Sequence, residues 1–148
     1  MRLQNLSPVH RTADLLPLID FVTTFYKYPY LAKLVVSQRP STIFGTGRAY
    51  ATNPNLTETD MGSPSLVQVN LASGSYPKKS MLILELGVVT VNSWEEEFVL
   101  ILAHELRHID QIYTGSHAAD EVDAAEYDAE SCAIALLSVF RNQLQQAA

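Results

Sequence analysis

The run His104-Glu105-Leu106-Arg107-His108 constrains this chain more than any other feature, because two imidazoles four residues apart serve one metal ion only if their segment is helical. On a helix, His104 and His108 share a face and can each offer a nitrogen. Glu105 lies one step around, angled toward a metal-bound water rather than the metal, which suits a general base. The pattern reads as a zinc site. A catalytic zinc usually has three protein ligands and an open position, so a third ligand must come from elsewhere. The position six residues after His108 is Thr114, and His117 falls three residues late. The following helix carries the better candidates: Asp120, Glu121, Asp123, Glu126, Asp128 and Glu130. Glu126 and Glu130 share a face, whereas Asp128 points away from it by nearly half a turn. This selects Glu126 as the metal ligand. It leaves Glu130 behind a histidine, accepting its second ring proton and fixing the tautomer.

The rest of the chain supplies a setting for these two helices. Ser93 followed by Glu96 is a capping-box signature, and Glu95, Glu96 and Glu97 fall in the first turn, where the helix dipole favours negative charge. A helix is predicted to begin there and to stop at Gly115. Its segment Phe98 to Ala103 is apolar around nearly the whole circumference, which predicts burial on both sides. A second helix is predicted from near Asp120 to about Gln143, with Ile134, Leu137 and Phe140 facing the core. Upstream, Thr12 to Val36 carries apolar residues at helical spacing, predicting one or two N-terminal helices broken near Pro29. Between Ser41 and Val91, Gly, Pro, Ser, Thr and Asn punctuate short β-branched runs. Three or so strands fit: Thr42 to Ala51, Leu66 to Leu71, and Met81 to Val91. Asn53 to Pro64 reads as a surface loop and Gly74 to Lys79 as a turn. The fold class is α+β.

Composition narrows the partners. A chain of 148 residues with 47% hydrophobic content can bury the core of one domain, spanning residues 1–148. Sixteen acidic residues against ten basic ones give a net charge of −6, and the basic residues cluster no further than Lys78-Lys79, so nucleic acid is not an expected partner. Asp14, Pro17, Asp20, Lys27 and Pro29 interrupt the one long apolar region near the start. Neither a signal peptide nor a membrane span is therefore expected, and the expected setting is cytoplasmic. The single cysteine, Cys132, is expected to be a small buried residue rather than a nucleophile. Arg107 is expected to pair with a nearby carboxylate. Gly45 and Gly47 precede no lysine-serine or lysine-threonine pair, so they are expected at a bulge or turn rather than in a phosphate loop.

With these residues in place, His104-Glu105-Leu106-Arg107-His108 and Glu126-Tyr127-Asp128-Ala129-Glu130 resemble the active-site and glutamate helices of the gluzincin metallopeptidases. In that clan the histidine-glutamate-x-x-histidine helix is followed by a glutamate-x-x-x-aspartate helix, often with alanine before the aspartate. Ala129 matches that preference, and Glu130 departs from the aspartate by one methylene. The order of elements is similar to that of the minigluzincins, a minimal zincin-like fold. The motifs cover about Ser93 to Phe140.

The resemblance implies zinc-dependent hydrolysis of a peptide or protein substrate, with zinc as cofactor. His104, His108 and Glu126 would be its ligands, Glu105 the base that activates a zinc-bound water, and Glu130 an outer hydrogen-bonding partner. It also implies an exposed edge strand that pairs with extended substrate, for which Leu66 to Leu71 and Met81 to Val91 are the candidates. A donor to the developing oxyanion is implied too, with Tyr113, His117 and Tyr127 near the motifs and none singled out.

Three other functions use some of the same residues. A ferritin-like di-iron protein needs a second glutamate-x-x-histidine element and four long helices, and the sequence has neither. A catalytically silent zincin-like module that binds a peptide or regulates a partner would have no need of Glu105. A protease-like regulator of a single cognate protein usually carries a separate recognition domain, and none is visible.

Overall fold

The computed structural model describes residues 1–26, 31–39, 44–50, 65–81, 87–116 and 121–147. Its central element is α2 (Trp94–Thr114), and it begins and ends where local chemistry requires. The Ser93 hydroxyl accepts the Glu96 amide at 3.2 Å, and Gly115 closes the helix in the left-handed conformation, at φ 63°. Glu96 does not complete a capping box with Ser93. Its carboxylate accepts the backbone N–H of Asn92 and pairs with Arg141, so it ties the start of α2 to the far end of α3 (Val122–Ala147). Every residue from Phe98 to Ala103 is buried, as the apolar circumference predicts, and Glu96 and Glu97 before them are buried as well.

That burial arises because α2 packs on both helices and on the sheet. Besides α3 it touches α1 (Thr12–Thr23), β3 (Thr46–Tyr50), β4 (Ser65–Ala72) and β6 (Val88–Val91). β1 (Arg2–Asn5) and β2 (Leu31–Arg39) complete a four-stranded sheet in the order β1-β2-β4-β3. β1, β2 and β4 run parallel, and β3 joins antiparallel at the outer edge beside β4. β5 (Lys78–Met81) pairs with β6 in a separate two-stranded sheet. The core lies between the sheet and the helices. Leu34 and Val36 of β2 and Val67, Val69 and Leu71 of β4 meet Leu15, Ile19 and Val22 of α1, Phe98, Leu102 and Ile109 of α2, and Leu137 and Phe140 of α3. Ile134 packs partly buried against them. Among the described residues no helix is long and apolar enough to cross a membrane.

The α+β class stands, and the strand count needs correction. Among the described residues there are six strands rather than about three. Leu31 to Val36, expected as helix, forms β2, held by parallel partners on both sides. A short run such as Leu34-Val35-Val36 fits either period, and its β-branched residues favour a pleated surface once neighbouring strands exist. β1 has one aliphatic residue, Leu3, and exists through its pairing with β2, a tertiary cause that no local pattern displays. β5 occupies part of the expected turn from Gly74 to Lys79. The expected loop from Asn53 to Pro64 and the expected break at Pro29 lie outside the described residues.

Beneath the start of α2 lies a buried ion pair. Lys78 Nζ sits 3.3 Å from Glu97 Oε2 and donates to the Ala72 carbonyl at 2.6 Å. Glu97 Oε1 accepts the Ala72 N–H at 3.1 Å. Two side chains thus join the end of β4 and the start of β5 to the helix that bears both histidines. Further along α2, the Tyr26 hydroxyl donates to the Ala103 carbonyl at 2.6 Å, next to the first histidine.

Candidate metal centre

His104 and His108 stand on successive turns of α2, and Glu126 reaches them from the second turn of α3. His108 Nε2 lies 3.0 Å from His104 Nε2 and 2.9 Å from Glu126 Oε1, and His104 Nε2 lies 3.1 Å from Glu126 Oε2. Among the described residues these three side chains are the group that can hold a metal ion, with one ligand atom from each within 4.8 Å of the others. A tetrahedron with bonds of 2.0–2.1 Å has edges of about 3.3 Å, so the three atoms need to separate by only a few tenths of an ångström to take zinc. Two imidazoles and a carboxylate are also the donor types that zinc accepts. Burial, and secondly the neighbouring His108, hold His104 below the usual histidine range, which favours the neutral imidazole a metal requires.

Glu105 faces the same space from the next position on α2, buried against β3. Burial pushes its carboxyl up to about 7; His108 opposes the rise and Glu126 adds to it. A group that titrates near neutrality is matched to the work of a general base. The close approach of β3 depends on Gly47. A Cβ there would stand 2.5 Å from Glu105 Cγ and 2.6 Å from Oε1, distances that real Cβ atoms do not show. Gly47 therefore lies within a regular strand, not at the expected bulge or turn, and it makes room for a carboxyl group. Gly47→Ala is expected to fold and to bind metal, while displacing Glu105 and lowering any hydrolytic rate about 10²-fold. Parallel assays of rate and metal content check this, and an unchanged rate would contradict it.

Between β3 and the two helices runs a cleft of about 480 Å³, lined by Gly47 to Tyr50 on one side and by Glu105, His108, Ile112, Ala125 and Glu126 on the other. Of the two candidates for an exposed edge strand, the first is ruled out. Leu66 to Leu71 lies inside β4, whose neighbours β2 and β3 use both of its backbone edges. Of Met81 to Val91, Met81 closes β5 and Val88 to Val91 form β6 in the smaller sheet, while 82–86 lie outside the described residues. The strand along the cleft is β3.

Glu130 is half-buried and lines a smaller cleft of about 150 Å³ together with His104 and Glu105. Asp128, on another face from Glu126, takes Arg107: the guanidinium Nε donates to Asp128 Oδ2 at 2.7 Å and Nη1 to Asp110 Oδ2 at 2.6 Å. Cys132 is half-buried rather than buried, and desolvation raises its thiol pKa, which keeps it protonated. Tyr113 packs against the core, Tyr127 is exposed on α3, and His117 and Asp120 lie outside the described residues.

The residue that sequence reasoning missed is Gln111. It is buried one turn after His108, and its Oε1 lies 2.9 Å from His108 Nδ1. The same side chain donates from Nε2 to the Ala125 carbonyl at 2.9 Å and to Asp128 Oδ2 at 2.8 Å. Its position three residues beyond a candidate ligand histidine, on the same face, was the available signal.

Compared with protein-family models, with curated proteins and with solved structures, the chain gives no match.

Proposed function

We propose that this chain is a zincin-like zinc metallopeptidase that hydrolyses peptide bonds in extended segments of a peptide or protein. One observation carries the reading: His104, His108 and Glu126 converge from two helices while the buried carboxyl group of Glu105 faces the same cleft. A purely structural zinc is normally closed by four protein ligands and has no use for a carboxylate beside it. When bound, zinc supplies Lewis acidity that polarises a carbonyl oxygen and lowers the pKa of water toward neutrality.

The chain's own residues supply the rest. Among the described residues β3 is the outer strand on the cleft and pairs on one side only, so its other backbone edge can add an extended substrate as a further strand and lay the scissile bond across Glu105. Glu105 accepts a proton from the attacking water and returns it to the departing amine. Gly47 sets the distance between that substrate strand and the base. His104, His108 and Glu126 stay fixed on their helices, so the reacting groups need little rearrangement.

The test is cleavage of a random-sequence peptide mixture by the purified protein, with zinc present and after chelation. Cleavage that a chelator abolishes and zinc restores is expected. Zinc binding without cleavage would replace the peptidase by the silent peptide-binding module, and cleavage indifferent to chelation would overturn the metal mechanism.

A further inference from the structure

We propose that Gln111 is a positioning residue that fixes the tautomer of His108 and, with the same amide, sets the register of α3 that brings Glu126 to the cluster. The proposal rests on the metal-site reading above. The two groups near Nε2, the Ala125 carbonyl and the Asp128 carboxylate, are both acceptors, so the NH2 end must face them and both of its protons are used. Oε1 is thereby turned to His108, and an amide oxygen only accepts. His108 Nδ1 must then carry the ring proton. The remaining nitrogen, Nε2, presents its lone pair to His104 Nε2 and Glu126 Oε1 at 3.0 and 2.9 Å.

This orientation has a cost without a cation. A lone pair facing a carboxylate oxygen at 2.9 Å is repelled by it until a positive centre, a proton or a metal ion, stands between them. Gln111 thus holds His108 in the form that a metal needs and a neutral site disfavours. Asp128 is itself held by Arg107, which is anchored to Asp110 one turn along α2. The amide bonds therefore reach a braced part of α3, flanking Glu126 at positions 125 and 128. One side chain orients a ligand on α2 and locates a ligand on α3.

The experiment compares zinc affinity, by competition with a chromophoric chelator, and the 15N spectra of the histidine rings in metal-free protein under mildly alkaline conditions. Gln111→Ala is expected to weaken zinc binding about 10- to 100-fold and to leave His108 as a mixture of tautomers. Gln111→Glu keeps the acceptor for Nδ1–H but loses both donors and faces Asp128 with a like charge. It is expected to retain the Nδ1–H tautomer while weakening zinc, and it serves as the test if the alanine variant does not fold. Wild-type affinity together with an unchanged His108 tautomer in Gln111→Ala would overturn the role of Gln111 and leave the metal site standing. A mixed His108 tautomer in Gln111→Glu would also overturn it. Failure of the wild-type protein to bind zinc would instead overturn the metal reading itself, and the role of Gln111 with it.

Discussion

Replacing Glu105 by Gln is expected to leave the fold and the zinc content intact and to lower peptide cleavage by about 10²–10⁴-fold. The amide matches the carboxyl group in shape, so it still fits against Gly47, and burial already favours an uncharged group at this position. It cannot take a proton from water, which removes the base and leaves the electrostatic setting nearly unchanged. Single-turnover rates and metal content, measured on the same preparation, separate the two roles. A variant that cleaves at the wild-type rate would remove Glu105 from the mechanism, whereas loss of zinc along with activity would mean that Glu105 helps to hold the ion.

Lys78→Met is expected to cost about 3–5 kcal/mol of stability, because it leaves the Glu97 carboxylate in the core without its counter-charge. For a chain of this length that corresponds to a fall in Tm of roughly 10 °C. Burial, and secondly the charge of Glu97, raise the Tyr76 hydroxyl pKa, so this neighbour of Glu97 stays a neutral phenol and does not replace the charge of the lysine. Adding Glu97→Gln should recover most of the loss, since a neutral amide oxygen still accepts the Ala72 N–H and no buried charge remains. Calorimetric melts of the single and double variants measure both effects. A single variant that melts with the wild type would show that the pair does not support the helix, and a double variant as unstable as the single one would place the cost in packing.

The candidate site, the convergence of His104, His108 and Glu126, was legible because its determinants are local. The spacing from His104 to His108 and from Glu126 to Glu130, and the caps at Ser93 and Gly115, are written within single helices. The α2–α3 packing then brings the two motifs together. Even Arg107 follows this logic, finding Asp128 on a face separate from that of Glu126. The sheet was less legible because its causes are not local. Among the described residues β1 pairs with β2 alone, and the Leu34-Val35-Val36 run suits helix and strand alike until its neighbours are known. Gly47 could not be interpreted without the position of Glu105 across from it. Gln111 carried a spacing signal, but its meaning depends on Ala125 and Asp128, which come from another helix.

Zinc stoichiometry tests the central claim most directly, since everything proposed here requires His104, His108 and Glu126 to hold one ion together. Atomic emission on the purified, zinc-equilibrated protein should find close to one zinc per chain, and His104→Ala and His108→Ala should each lose it while keeping the wild-type far-ultraviolet dichroism. A wild-type protein that emerges without zinc, or alanine variants that retain it, would contradict the account.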